Sequence, residues 1–132
     1  MERSRPALDE RVRGYLGLAH RAGTVNSGIE AVRQAVRDGE ARLVILAGDA
    51  APGQLQKVMG LLEHRDVPLR WVDRREALGS TVGRDALSAV AITSESFAEQ
   101  LLSCLSARIP DGMEPADGDR GPKEGSSTDA GR

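Results

Sequence analysis

A chain of 132 residues with 39% hydrophobic content is long enough for one domain with its own core, because a domain of this size buries about two thirds of the surface its unfolded chain exposes. One cysteine, Cys104, excludes an internal disulfide and a cysteine-based zinc cluster, and no apolar run approaches the roughly 20 residues of a membrane span. The net charge of −2 conceals an asymmetry, since Asp111 onward holds 3 basic and 6 acidic residues while residues 11–37 carry Arg11, Arg13, Arg21, Arg33 and Arg37 against Glu30 alone.

The opening "MERSRPALDERVRG" lacks the apolar core of a secretory signal, so a cytoplasmic protein is expected, with residues 1–6 loose. Leu8, Val12, Tyr15, Leu16 and Ala19 then recur at helical spacing, and Gly23 suits the stop. Thr24-Val25-Asn26 reads as a very short strand. Asn26 or Ser27 can cap the next helix, whose apolar face is Ile29, Val32, Ala35 and Val36 and whose end is Gly39. "RLVILA" at 42–47 is a continuous apolar run and reads as a buried strand, followed by the turn "GDAAPG". Leu55, Val58, Met59 and Leu62 form another helical stripe. "VPLRWV" at 67–72 is a strand with proline near its start, "RREALGSTVG" a short helix, and "SAVAIT" at 88–93 a second small buried strand.

Ser94 or Ser96 can cap the last helix, and Glu99 would complete a capping box with Ser96. Its stripe is Phe97, Leu101, Leu102 and Leu105. The tail "PDGMEPADGDRGPKEGSSTDAGR" is too poor in large apolar residues to offset its ordering entropy and is expected to be disordered. The expected organisation is therefore a domain over 7–109 followed by an acidic tail over 110–132. Helices alternating with short buried strands predict an α/β sandwich with helices on both faces of a small sheet.

Catalytic signatures are absent. There is no G-x-S-x-G elbow, no Walker sequence and no H-E-x-x-H motif. His20 and His64 fall on different elements among polar neighbours, and Cys104 lies at helical spacing from Leu101 and Leu105, as a small buried hydrophobe would. No cofactor or metal is expected. Asp49 follows a buried strand, and ligands of open α/β sheets favour the carboxyl ends of strands, yet a turn residue or a cap for the helix beginning near Gly53 is the simpler explanation. Aromatic stacking on bases is nearly excluded, because the chain has one Trp, one Tyr and one Phe, the last two on apolar faces.

"NSGIEAVRQAVRDG" at 26–39 is the stretch with most to offer a ligand. It suits an ordinary surface helix, a nucleotide phosphate pocket or a nucleic-acid backbone platform. The first amides of a helix are unpaired and carry about half a positive charge, and Gly28 permits close approach to the backbone. Arg33 and Arg37 share a face. A mononucleotide pocket calls for more glycines than this one, so an extended backbone contact fits better.

Taken together, "LGLAHRAGTVNSGIEAVRQAVRDGEARLVILAGDAAP" and "VPLRWVDRREALGSTVGRDALSAVAIT" resemble the kink-turn RNA-binding superfamily of ribosomal protein L-seven-Ae, and most closely its bacterial YlxQ-like branch. The similarity covers about residues 12–105 and rests on Ser27-Gly28 with Gly39, "LVILAGDAAP", Leu78-Gly79 with Gly83, and "AVAIT". It implies a three-layer α/β/α sandwich around a mixed sheet of about four strands. It also implies non-enzymatic binding of structured RNA, in association with the ribosome, translation or RNA processing.

On this resemblance the helix start at Ser27-Gly28, with Arg33 and with Arg37 at the edge, contacts RNA backbone, and Gln34 touches a base edge. The loop from Arg84 to Ser88, with Ala86 and Leu87 as its apolar part, covers an exposed base. The chain departs from the family where RNA readers carry Asn-Glu and a following Lys, since it has Glu30, Ala31 and Gln34. The family's Glu-Asp is Gly48-Asp49, and a lysine common in the bacterial branch is Thr24. Glu30 repels phosphate unless Arg33 or a base amino group engages it. These departures keep a second possibility open, a protein-interaction module on the same fold, which would take a protein partner within a ribonucleoprotein.

Overall fold

The computed structural model describes residues 10–105. The expected loose N-terminus, Leu8 and the acidic tail lie outside them. The elements follow in the order α1 (Glu10–Arg21), β1 (Val25–Ser27), α2 (Ile29–Arg37), β2 (Leu43–Ala47), α3 (Pro52–Leu62), β3 (Leu69–Val72), α4 (Arg75–Ser80), β4 (Ala89–Ile92) and α5 (Glu95–Leu102).

The four strands form one mixed sheet in the order β1-β4-β2-β3. Strand β4 runs antiparallel to both β1 and β2, while β2 and β3 are parallel. The two central strands are buried along their full length, as expected of strands covered on both faces. Because successive side chains point to opposite faces, β2 splits its residues between two cores. Leu43, Ile45 and Ala47 meet the helices α1, α4 and α5 through Leu16, Leu78 and Leu101. Val44 and Leu46 meet α2 and α3 through Val32, Val36, Leu55 and Val58. The result is the three-layer α/β/α sandwich that the resemblance implied. On the α2 side, β4 contributes only Ala89 and Ala91, and these small side chains leave α2 room to lie close on the strand.

Several local expectations need correcting. Neither Asn26 nor Ser27 caps α2. Ser27 is the last residue of β1, opposite Val90, and Gly28 occupies the cap position with no side-chain hydrogen bond. The strand pairing with β4 continues to the edge of the helix and holds Ser27 in extended backbone. At α5 the cap is Ser94, whose Oγ accepts from the Phe97 amide at 3.3 Å. Ser96 lies inside that helix, so the Ser96–Glu99 box does not form. Strand β3 begins at Leu69, but the Pro68 carbonyl still accepts from the Val44 amide at 3.0 Å. Thr24 stands just outside β1, and its carbonyl accepts from the Thr93 amide at 2.9 Å.

A candidate nucleic-acid interface at one end of the sheet

The strand directions gather several loops at one end of the sheet. Strands β1, β2 and β3 finish there, and β4 starts there, because Ser27 pairs with Val90 and Leu46 with Ala89. Two adjacent carbonyls of the incoming chain tie this end together. The Ala89 carbonyl accepts from the Gly28 amide at 2.9 Å, and the Ser88 carbonyl accepts from the Ala47 amide at 2.9 Å. The start of α2 and the loop before β4 are thereby fixed against each other.

Gly28 takes φ 99 and ψ 157, a region that essentially only glycine enters freely. It reverses the chain from β1 into α2 while its own amide stays in the sheet. The first bond inside α2 runs from the Val32 amide to the Gly28 carbonyl at 2.9 Å. The amides of Ile29, Glu30 and Ala31 come before it, so this helix start carries the unpaired donors and partial positive charge that favour an anion.

Both oxygens of the Glu30 carboxylate accept from Arg33 Nη1, at 3.0 and 3.1 Å. The Arg33 side chain is 25% exposed and Glu30 70%, and Arg33 Nε is buried without a hydrogen-bond partner. Arg33 thus answers the repulsion expected of Glu30. One turn on, Gln34 Nε2 donates to Asp38 Oδ1 at 2.9 Å and is exposed, as is Arg37.

Asp49 does not cap α3, whose cap position is Ala51 followed by Pro52. Its Oδ1 accepts from the Arg75 amide at 2.8 Å and lies 3.7 Å from Arg75 Nε. The side chain therefore caps α4 and binds the loop after β2 to the loop after β3. No sequence pattern links positions 49 and 75, and Arg75 itself joins this end of the sheet unforeseen.

The loop from Arg84 to Ser88 is pinned at several points. The Arg84 amide donates to the Gly79 carbonyl at 2.9 Å, and the Leu87 amide to the Arg75 carbonyl at 3.0 Å. Its backbone crosses Gly79 so closely that a Cβ there would stand 2.8 Å from the Ala86 N and Cα. Arg84 and Ala86 are exposed. Leu87 is a correction to the expected base-covering pair: it is 5% exposed and packs in the α1–α4–α5 core. The loop must return to β4, and the next inward position is Leu87, so Ala86 alone presents an apolar surface outward.

Among the described residues no group of His, Cys, Asp and Glu could hold a metal ion. His20 and His64 are both exposed, and Cys104 is half-buried against the α1–α4–α5 core. No described helix is long and apolar enough to cross a membrane.

Comparison with known proteins finds relatives in sequence and in fold. The chain is 39% identical over 90 residues to RNA-binding protein YlxQ of Bacillus subtilis (strain 168), covering 68% of this chain and 90% of that protein. It is 28% identical over 92 residues to large ribosomal subunit protein eL8 of Thermoplasma volcanium, covering 69% and 76% respectively. A solved structure of a Bacillus halodurans protein with unknown function superposes with a TM-score of 0.68 at 28% identity, over 72% of this chain and 96% of that one. The Giardia lamblia 15.5kD RNA binding protein shares the fold, with a TM-score of 0.61 at 18% identity over 76% and 86%. The model of the Ribosomal protein L7Ae/L30e/S12e/Gadd45 family matches residues 10–102, and the chain belongs to that family.

Proposed function

We propose that this chain is a non-enzymatic, cytoplasmic RNA-binding protein associated with the ribosome, translation or RNA processing. Its RNA would lie across the end of the sheet where α2 begins. The observation that carries this reading is the fixed pairing of the Gly28 helix start with the loop before β4, through the Gly28–Ala89 hydrogen bond. A helix start with unpaired amides receives backbone phosphate. Exposed Ala86, on the adjoining loop, offers a small apolar contact to an unstacked base. The RNA-binding name of the YlxQ relative supports the same reading.

In this arrangement Ser27, Gly28, Arg33 and Arg37 contact the phosphate chain, and Gln34 reaches a base edge. Arg84 lies on the outer side of the loop for a second strand contact. Crosslinking the protein to RNA in cells and sequencing the recovered RNA tests the proposal. A defined RNA set should be recovered, and replacing Arg33 and Arg37 by alanine should deplete it. Recovery of abundant RNA at random, unaltered by those replacements, would remove the assignment. In filter binding at two salt concentrations, affinity should fall with salt along a shallow slope, since only a few arginines meet phosphates.

A further inference from the structure

The Glu30–Arg33 pair combines a packed cation with an exposed anion. Arg33 is held from below, with a largely buried stem and a buried Nε. Its outer nitrogen is occupied by a carboxylate that is itself mostly exposed. An ion pair whose carboxylate is this exposed is only weakly held in water, so the carboxylate is displaceable. The guanidinium need not move to change partner, because its stem stays packed while Nη1 exchanges one anion for another.

We propose that Glu30 is the specificity-determining residue of this edge: its carboxylate occupies Arg33 as an internal stand-in for phosphate, so that bare RNA backbone must displace it to gain the contact. The proposal rests on the RNA-binding reading above and states how that same edge discriminates. Paired RNA offers only phosphate and sugar here, and its gain at Arg33 is offset by a released carboxylate left beside the backbone. An RNA with an unpaired base can give the released carboxylate an N–H donor from that base, and so recovers both interactions. Phosphate contacts position a nucleic acid, whereas base contacts specify it. Here one residue would tie the first to the second.

The test compares the full chain with Glu30→Gln, Arg33→Ala, the double variant, and Glu63→Gln as a charge control on an exposed residue after α3. Each is titrated with a fully paired RNA duplex across a salt series. Glu30→Gln should tighten duplex binding about three- to tenfold at low salt and steepen the salt slope by about 0.9, the signature of one added phosphate contact. The double variant should lose both effects, and Glu63→Gln should show neither. Equal tightening without Arg33, or with Glu63→Gln, would mean a mere change in net charge and would overturn the proposal.

A second readout is independent of RNA. The Arg33 Nε–H resonance is followed while pyrophosphate is added, and it should shift in Glu30→Gln at concentrations that leave the wild type unmoved. If no variant binds RNA but this difference appears, the gate stands and the RNA reading falls. If the two proteins respond alike, or neither responds, the gate falls.

Discussion

At the scale of single residues, two glycines show how context decides the sign of one substitution. A Cβ at Gly79 would meet loop backbone at 2.8 Å, with no flexible side chain to yield. Gly14, in an exposed position on α1, has nothing within 4 Å of its would-be Cβ. Gly79→Ala is therefore expected to lower stability by about 2 kcal/mol through forced overpacking. Gly14→Ala should raise it by about 0.5–1 kcal/mol, because glycine is entropically costly within a helix. Denaturant midpoints of the two variants check both signs, and a neutral Gly79→Ala would mean that the loop is free to lift away. The sequence marks Leu78-Gly79 as distinctive, but the crossing that makes Gly79 necessary involves residues 84–86 and emerges only in three dimensions.

Among elements, the strands and helices were legible wherever the apolar period was strong. "LVILA" and "AVAI" are runs whose every residue is buried, one face to each core. The stripe of Leu55 and Val58 falls in α3 as its spacing predicts. What could not be read were the junctions. The start of α2 looks like a serine-capped helix, yet a ladder bond to Ala89 keeps the chain extended through Ser27 and leaves the cap to Gly28. Asp49 resembles a cap for the helix after it but caps α4, 26 positions on. Both outcomes were decided by strand neighbours far away in sequence.

If Asp49 unites the two loops as described, Asp49→Ala should cost about 1 kcal/mol, the ordinary loss of a helix cap. Asp49→Asn, which keeps an acceptor oxygen, should cost less. Thermal unfolding of the pair separates them, and equal losses would point to the Arg75 ion pair in place of the cap. The candidate site divides in the same way. Helical spacing put Arg33 and Arg37 on one face and the resemblance added Gln34, whereas the burial of Leu87 and the clamp on Arg33 depended on tertiary packing.

At the scale of the whole molecule, one four-stranded sheet separates two cores that share the backbones of β2, β3 and β4. Ile45 and Leu46 are neighbours in sequence yet sit in different cores, each with no exposed surface. Ile45→Ala and Leu46→Ala should each cost about 2–5 kcal/mol. Neither should uncouple its half, because β2 and β4 carry both. The single tryptophan, Trp71, belongs to the α2–α3 core, so its fluorescence reports that side while far-UV circular dichroism reports the whole. The two transitions should coincide in both variants, as a cooperative domain requires. A fluorescence transition that precedes the other in Leu46→Ala would reveal two separable layers.

The small side chains of Ala89 and Ala91 set the spacing between α2 and the sheet. They work as an interior adjustment for a surface that they never reach. A bulkier residue at either position would lift the helix and, with it, the Gly28 turn and the Arg33 stem, while every exposed group kept its identity. Relatives with the same outward-facing residues could therefore differ in what they grip solely through the thickness of this hidden seam.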